Sequence, residues 1–75
     1  MDVRHRLGLN VQRLRRAKGW SQEELAERAG LHRTYVSGVE RGIRNPTITI
    51  VEKLAITLGA SLDALVVLPG GKQQS

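Results

Sequence analysis

Apolar residues recur along this chain at helical rather than strand spacing. Leu7, Val11 and Leu14 stand at i, i+4 and i+7, and Ala17 continues their stripe, which predicts a first helix. Its last turn holds Arg15, Arg16 and Lys18, which suit the negative end of the helix dipole, and Gly19 supplies a C-terminal stop. Leu25, Ala26 and Ala29 predict a second helix. It opens at Ser21 with Glu24 three residues on, the capping-box pattern, and closes at Gly30. A third helix is predicted from about Arg33 to Arg41, with Val36 and Val39 inward and Gly42 as its terminator. Asn45-Pro46-Thr47 reads as a turn whose threonine caps a fourth helix with the stripe Val51, Leu54, Ala55 and Leu58, ended by Gly59. The β-branched run from Thr47 to Val51 would also suit a strand, but the stripe's continuation to Leu58 favours helix. Ser61, with Asp63 behind it, predicts a short fifth helix in which Leu62 serves the core. Pro69-Gly70-Gly71 closes the expected domain, residues 1–69, and 70–75 read as a flexible tail. The expected fold is a compact, all-α, five-helix domain.

A chain of 75 residues makes one small domain, and its size leaves stability marginal. The absence of cysteine excludes disulfides, and only His5 and His32 are soft-metal ligands, without partners at ligand spacing. No metal and no cofactor are expected. The remaining route to extra stability is association with a second copy.

Charge changes the picture through its distribution. Arg4, Arg6, Arg13, Arg15, Arg16, Lys18, Arg28, Arg33, Arg41 and Arg44 outnumber five acids before position 46, whereas Lys53 and Lys72 balance Glu52 and Asp63 after it. The formal excess of +5 thus belongs wholly to the first part. A basic face on a small domain favours polyanions, nucleic acid before an anionic membrane. No apolar run approaches the ~20 residues of a spanning helix, and no signal core opens the chain, so a cytoplasmic protein is expected.

The predicted second and third helices, joined at Gly30, have the form of a helix-turn-helix unit. With Val36 and Val39 buried, the third helix turns Arg33, Thr34, Ser37, Gly38 and Arg41 outward on one polar face. Arginine pairs bidentately with guanine, and Thr or Ser bonds to base edges or touches a thymine methyl. Gly38 costs roughly 1 kcal/mol of helix propensity, which suggests a steric reason: room for close approach to a groove floor. An ordinary solvated face would more often carry Glu and Lys.

Residues 11 to 65 resemble the Cro/C1-type (XRE) helix-turn-helix domains of bacterial and phage repressors. The resemblance is carried by Leu14-Arg15, Trp20 to Ala26, Ala29-Gly30-Leu31, Val36-Ser37, Val39 to Gly42, Asn45-Pro46-Thr47, and Leu54-Ala55 through Leu58-Gly59. The stretch Arg33 to Arg41 is further similar to the small controller proteins of restriction-modification systems. The resemblance implies a lambda-repressor-like fold and sequence-specific binding of double-stranded DNA. It places Ser21 and Gln22 at the start of the supporting helix, where phosphate is held, and a helix N-terminus has free donors for that task. Arg33, Thr34 and Ser37 match reading positions, and Arg41, Arg44 and Asn45 match the backbone-gripping turn after them. Tyr35 either packs beside the second helix or reaches DNA. Arg15 and Glu40 are implied to be a structural pair, and Trp20 reads as a core plug. One departure is His32, a poor cap where Asp, Ser or Thr is usual.

One such helix reads only a few base pairs, so a homodimer on a palindromic operator is expected, with two reading helices about 34 Å apart. Leu65, Val66, Val67 and Leu68, in the neutral C-terminal part, are the expected dimer surface. The second function the sequence admits is an antitoxin-like protein-interaction module that also binds DNA. No nucleophile–base pair, carboxylate pair or phosphate-cradling loop supports an enzyme, and no small-molecule ligand is evident.

Overall fold

A computed structural model describes residues 2–68. Four α-helices follow in order: α1 (Val3–Ala17), α2 (Gln22–Ala29), α3 (Arg33–Glu40) and α4 (Ile48–Leu58); a 3₁₀ turn, Asp63–Leu65, comes after them. There is no strand among the described residues. The expected boundary at 69 and tail 70–75 lie outside them.

Local chemistry sets the boundaries. Asp2 caps α1, its carboxylate accepting from the Arg4 N–H at 2.7 Å. Ser21 Oγ accepts from the Glu24 N–H at 3.0 Å at the start of α2. The expected return bond from Glu24 is replaced: its carboxylate accepts from Arg28, one turn on. Thr47 Oγ1 accepts from the Ile50 N–H and commits the β-branched run to helix. Gly30 and Gly59 close α2 and α4 with φ near +70°, a conformation that favours glycine.

The stripes read from the sequence form one core. Leu7, Val11, Leu25, Ala26, Ala29, Val36, Val39, Val51, Leu54, Ala55 and Leu58 are buried together, with Leu14 and Trp20 packed on the margin. Ala17, expected on the α1 stripe, is exposed. Where α1 crosses α3 the backbones nearly touch. A Cβ at Gly8 would sit 2.5 Å from the carbonyl oxygens of Val39 and Glu40, so only glycine fits without moving backbone.

The expected fifth helix is a single 3₁₀ turn, and Ser61 is not its cap; Leu62 holds that position, without a side-chain bond. The burial of the two leucines is also the reverse of expectation. Leu65 is fully buried, so it belongs to the protomer's own core and not to a dimer surface, while Leu62 is exposed. The physical reason lies in α1. Asn10, itself fully buried, donates Nδ2 to the carbonyls of Leu65 (3.0 Å) and Val67 (2.8 Å), and Arg6 Nε donates to Val66 O at 2.9 Å. Carbonyls that would propagate a helix are thus held by side chains. The natural donor to Leu65 O, four residues on, is Pro69, which has no N–H.

Candidate nucleic-acid interface

The α2–α3 unit is built around Gly30. Its left-handed backbone lets the next N–H, of Leu31, bond back to Ala26 O at 2.8 Å, which turns the chain sharply into α3. Val36 and Val39, at 0% and 1% exposure, fix the inner side of α3. Arg33, Thr34 and Arg41 are consequently exposed, with Ser37 half-buried between turns. Arg41 Nε reaches back to Ser37 O at 3.4 Å. Arg44 and Asn45, in the following loop, are exposed as well. The structure therefore sets the expected readers along α3, from its first turn, and the expected backbone grips at and beyond its C-terminal end.

Gly38 departs from its expected role. It is buried, because the side chain of Arg44 folds over it: a Cβ there would stand 2.7 Å from Arg44 Cγ. The gap at Gly38 is filled by the protein's own arginine and is not open to a ligand in this state. The Arg44 guanidinium ends 5.5 Å from the Tyr35 ring centroid, within cation–π range, while Tyr35 packs half-buried on the core.

Behind the reading face lies a buried polar node. Arg15 Nε and Nη2 donate to the two carboxylate oxygens of Glu40 at 2.6 and 3.0 Å, and Arg15 Nη1 donates to Trp20 O at 2.7 Å. The hydrogen bonds that the guanidinium donates to Glu40 hold its pKa above its ordinary value, against the opposing effect of burial. This is the structural pair implied by the resemblance, and it joins α1 to α3. Gln22, expected at a phosphate, donates Nε2 to Glu40 Oε1 at 3.0 Å and so extends the node to α2. Its exposed neighbour Ser21 is the N-cap of the same helix, α2. Trp20 is half-buried as a plug, with the Arg28 guanidinium 4.4 Å and Lys18 Nζ 5.4 Å from its centroid.

His32 adopts the extended N-cap backbone of α3 but makes no side-chain cap bond. Sequence reasoning missed Asp2, Asn10 and the Arg44–Gly38 contact. Asp2 carried a readable signal, a capping residue directly before the helical pattern. Asn10 stood three residues from Leu7 on the apolar stripe, a polar residue in a core position. Among the described residues no group of three or more His, Asp or Glu side chains is placed to hold a metal ion, and no helix is long and apolar enough to cross a membrane.

Two short helices locked by a left-handed glycine, the second with an exposed polar and basic face, define a helix-turn-helix domain. Residues 11–65 match the helix-turn-helix family HTH_3, and the chain belongs to that family. The chain is 42% identical over 74 residues to the control protein C.SmaI of Serratia marcescens, covering 99% of this chain and 88% of that protein. Among solved structures it is similar to a hypothetical transcription factor, NHTF, from Neisseria, with TM-score 0.88 and 47% identity over 91% of this chain and 78% of that one. It is also similar to the restriction-modification controller protein C.Esp1396I, solved as a tetramer in complex with its natural 35 base-pair operator. That match has TM-score 0.78 and 34% identity over 87% of this chain and 86% of that one.

Proposed function

We propose that this protein is a sequence-specific transcriptional regulator that binds a palindromic operator as a homodimer, in the manner of a restriction-modification controller or a phage-type repressor. The observation that carries the reading is the outer face of α3. Arg33 and Thr34 stand exposed on its first turn, with half-buried Ser37 on the next, on a helix held rigidly from behind by Val36, Val39 and the Arg15–Glu40 pair. Such a face has the width and the donors to enter a major groove.

In this reading Arg33, Thr34 and Ser37 meet base edges. Ser21 and Gln22 present the α2 N-terminus to one phosphate, and Arg41, Arg44 and Asn45 hold the next stretch of backbone, with Tyr35 beside them. The work is binding rather than catalysis, and its place is the cytoplasm, on the nucleoid. The relatives named as control proteins, and the controller solved on its operator, support this assignment.

Selection of bound fragments from random duplex DNA tests it directly. The expected result is one enriched motif with two-fold symmetry and half-sites about one helical turn apart. Binding that is equally strong on all sequences would overturn the sequence-specific reading.

A further inference from the structure

All four α-helices end on the same backbone device. A glycine with φ between +68° and +77° follows the last turn, and the residue after it donates its N–H to a carbonyl five positions back. The residues in that final position are Trp20, Leu31, Ile43 and Ala60, with bonds of 3.2, 2.8, 3.0 and 2.9 Å. A side chain there commonly folds back on the helix just left, against the residue that accepts the bond or the one before it. Trp20 and Leu31 do pack on the core, and Ala60 is half-buried. Ile43 alone of the four is turned outward, at 61% exposure.

The reason lies in α3. The acceptor is Gly38 and the residue before it is Ser37, so neither offers an apolar side chain, and the stem of Arg44 fills the space over Gly38. The backbone beneath Ile43 is nonetheless fixed. Its N–H is bonded to Gly38 O, and Gly42 rests on His5 of α1, whose Nδ1 would stand 3.2 Å from a Cβ placed there. Single exposed isoleucines are ordinary on a protein surface, and Ile48 and Ile56 on α4 are two of them. Ile43 differs in its setting. Exposed Arg41 lies two residues before it, and exposed Arg44 and Asn45 directly after. No acid occurs between Glu40, which is paired with Arg15, and Glu52.

We propose that Ile43 packs against the deoxyribose of the strand whose phosphates Arg41, Arg44 and Asn45 hold, an apolar contact to DNA that is blind to base sequence. The inference rests on the operator reading above and adds a contact of different chemistry from those assigned there. The charge around Ile43 selects a polyanion. A DNA strand alternates a charged phosphate with an uncharged sugar ring, so a rigid aliphatic side chain flanked by cations matches its pattern. One isoleucine among polar loop residues lacks the broad apolar face with which a protein enters a lipid surface.

The test is titration of two duplexes, one carrying a selected motif and one unrelated, with the full chain and its Ile43 variants at several salt concentrations. Ile43→Asn is expected to bind both duplexes about 10-fold more weakly, as for loss of a mostly buried aliphatic contact. The slope of log K against log salt should not change, because no phosphate contact is removed. Ile43→Val keeps most of the apolar contact and should bind within about 4-fold of the unaltered chain. Urea midpoints of all three should coincide, since the exposed side chain adds little to the free protein's core. Equal binding by Ile43→Asn and the unaltered chain overturns the proposal. So does a loss matched by a lower salt slope, which would make the effect electrostatic. A loss confined to one position of the motif would put Ile43 on a thymine methyl and overturn the sugar assignment. Weaker adhesion of Ile43→Asn to phosphatidylserine vesicles, with DNA affinity unchanged, would move the residue to a membrane surface. Failure of the operator reading shows separately: selection then returns no motif, while Ile43→Asn still weakens every duplex.

Discussion

The stem of Arg44 lies across Gly38, so close that a Cβ on the glycine would stand 2.7 Å from Arg44 Cγ. The same measurement at Gly8 gives 2.5 Å, but there the opposing atoms are the backbone carbonyl oxygens of Val39 and Glu40. One obstacle is a side chain that can swing into solvent; the other is a helix that cannot move without opening the core. Gly38→Ala should therefore stay within about 1 kcal/mol of the unaltered protein, since alanine's helix propensity offsets the displaced contact. Gly8→Ala should lose about 2 kcal/mol or more despite the same propensity gain. Urea unfolding measures both, and equal losses at the two positions would contradict the distinction. In operator binding the order should reverse for Gly38→Ala, which evicts Arg44 from its seat against Tyr35 and should bind as weakly as Arg44→Ala.

The helices were legible because the apolar stripes and the Ser21, Gly30, Thr47 and Gly59 signals agree with one another. The reading face was legible for the same reason: once Val36 and Val39 are inside, the positions of Arg33, Thr34 and Ser37 follow from helical geometry. What was not legible depends on contacts distant in sequence. Leu62 and Leu65 are equally apolar, and Asn10 and Arg6, more than fifty residues upstream, decide between them by taking the carbonyls of residues 65–67. Gly38 announced a steric constraint, but only the path of the following loop shows that Arg44 imposes it.

Arg15 and Glu40 are an ion pair that cannot be halved. Their side chains are 9% and 2% exposed, and both carboxylate oxygens are engaged. Removing either partner strands the other charge away from water, so Arg15→Ala or Glu40→Ala should cost about 3–5 kcal/mol. Replacing both with apolar residues of similar volume, Arg15→Met with Glu40→Leu, should recover most of that loss. Gln22→Ala removes one bond to the same carboxylate and should cost only about 1 kcal/mol. The pH dependence has a definite sign. The Arg15 guanidinium, whose pKa is raised on folding above its ordinary value, contributes stability at all lower pH, and that contribution is lost only as pH climbs through the folded value. The stability gap between the parent and the doubly apolar variant should therefore be flat from about pH 7 to about pH 10. A gap that closes within this window would show that the guanidinium is not held by Glu40 as described.

The N-terminal caps make a second, independent pair of expectations. His32 sits in the same extended conformation as Ser21, with φ −79° at each, but leaves the first N–H groups of α3 without a side-chain acceptor. His32→Ser should stabilise the protein by about 1 kcal/mol, read as a rise in the urea midpoint without change in slope. Asp2 works in the opposite sense with pH. Its carboxyl is held below 3.8 first by the side-chain bond from Arg4 and then by the Arg4 N–H. Its contribution is present above that value and fades as pH falls through the lowered folded value, so the parent and Asp2→Ala should differ at neutral pH and converge in acid.

Arg33 and Arg44 should separate base reading from backbone grip. Arg33 stands exposed on the first turn of α3, and Arg44 sits in the loop beyond the helix, against Tyr35. Losing a bidentate base contact costs about 1–3 kcal/mol on the preferred sequence and nothing on sequences that lacked the guanine. Losing a phosphate contact weakens every sequence alike and lowers the slope of log K against log salt by about one per copy. Arg33→Ala should therefore flatten one position in each half-site of the selected motif while leaving the salt slope nearly unchanged. Arg44→Ala should keep the motif and reduce the slope. Titrations on matched and mismatched duplexes at several salt concentrations resolve the two. If Arg33→Ala weakens all sequences equally, the reading face lies elsewhere on α3, and Thr34 with Ser37 becomes the pair to vary next.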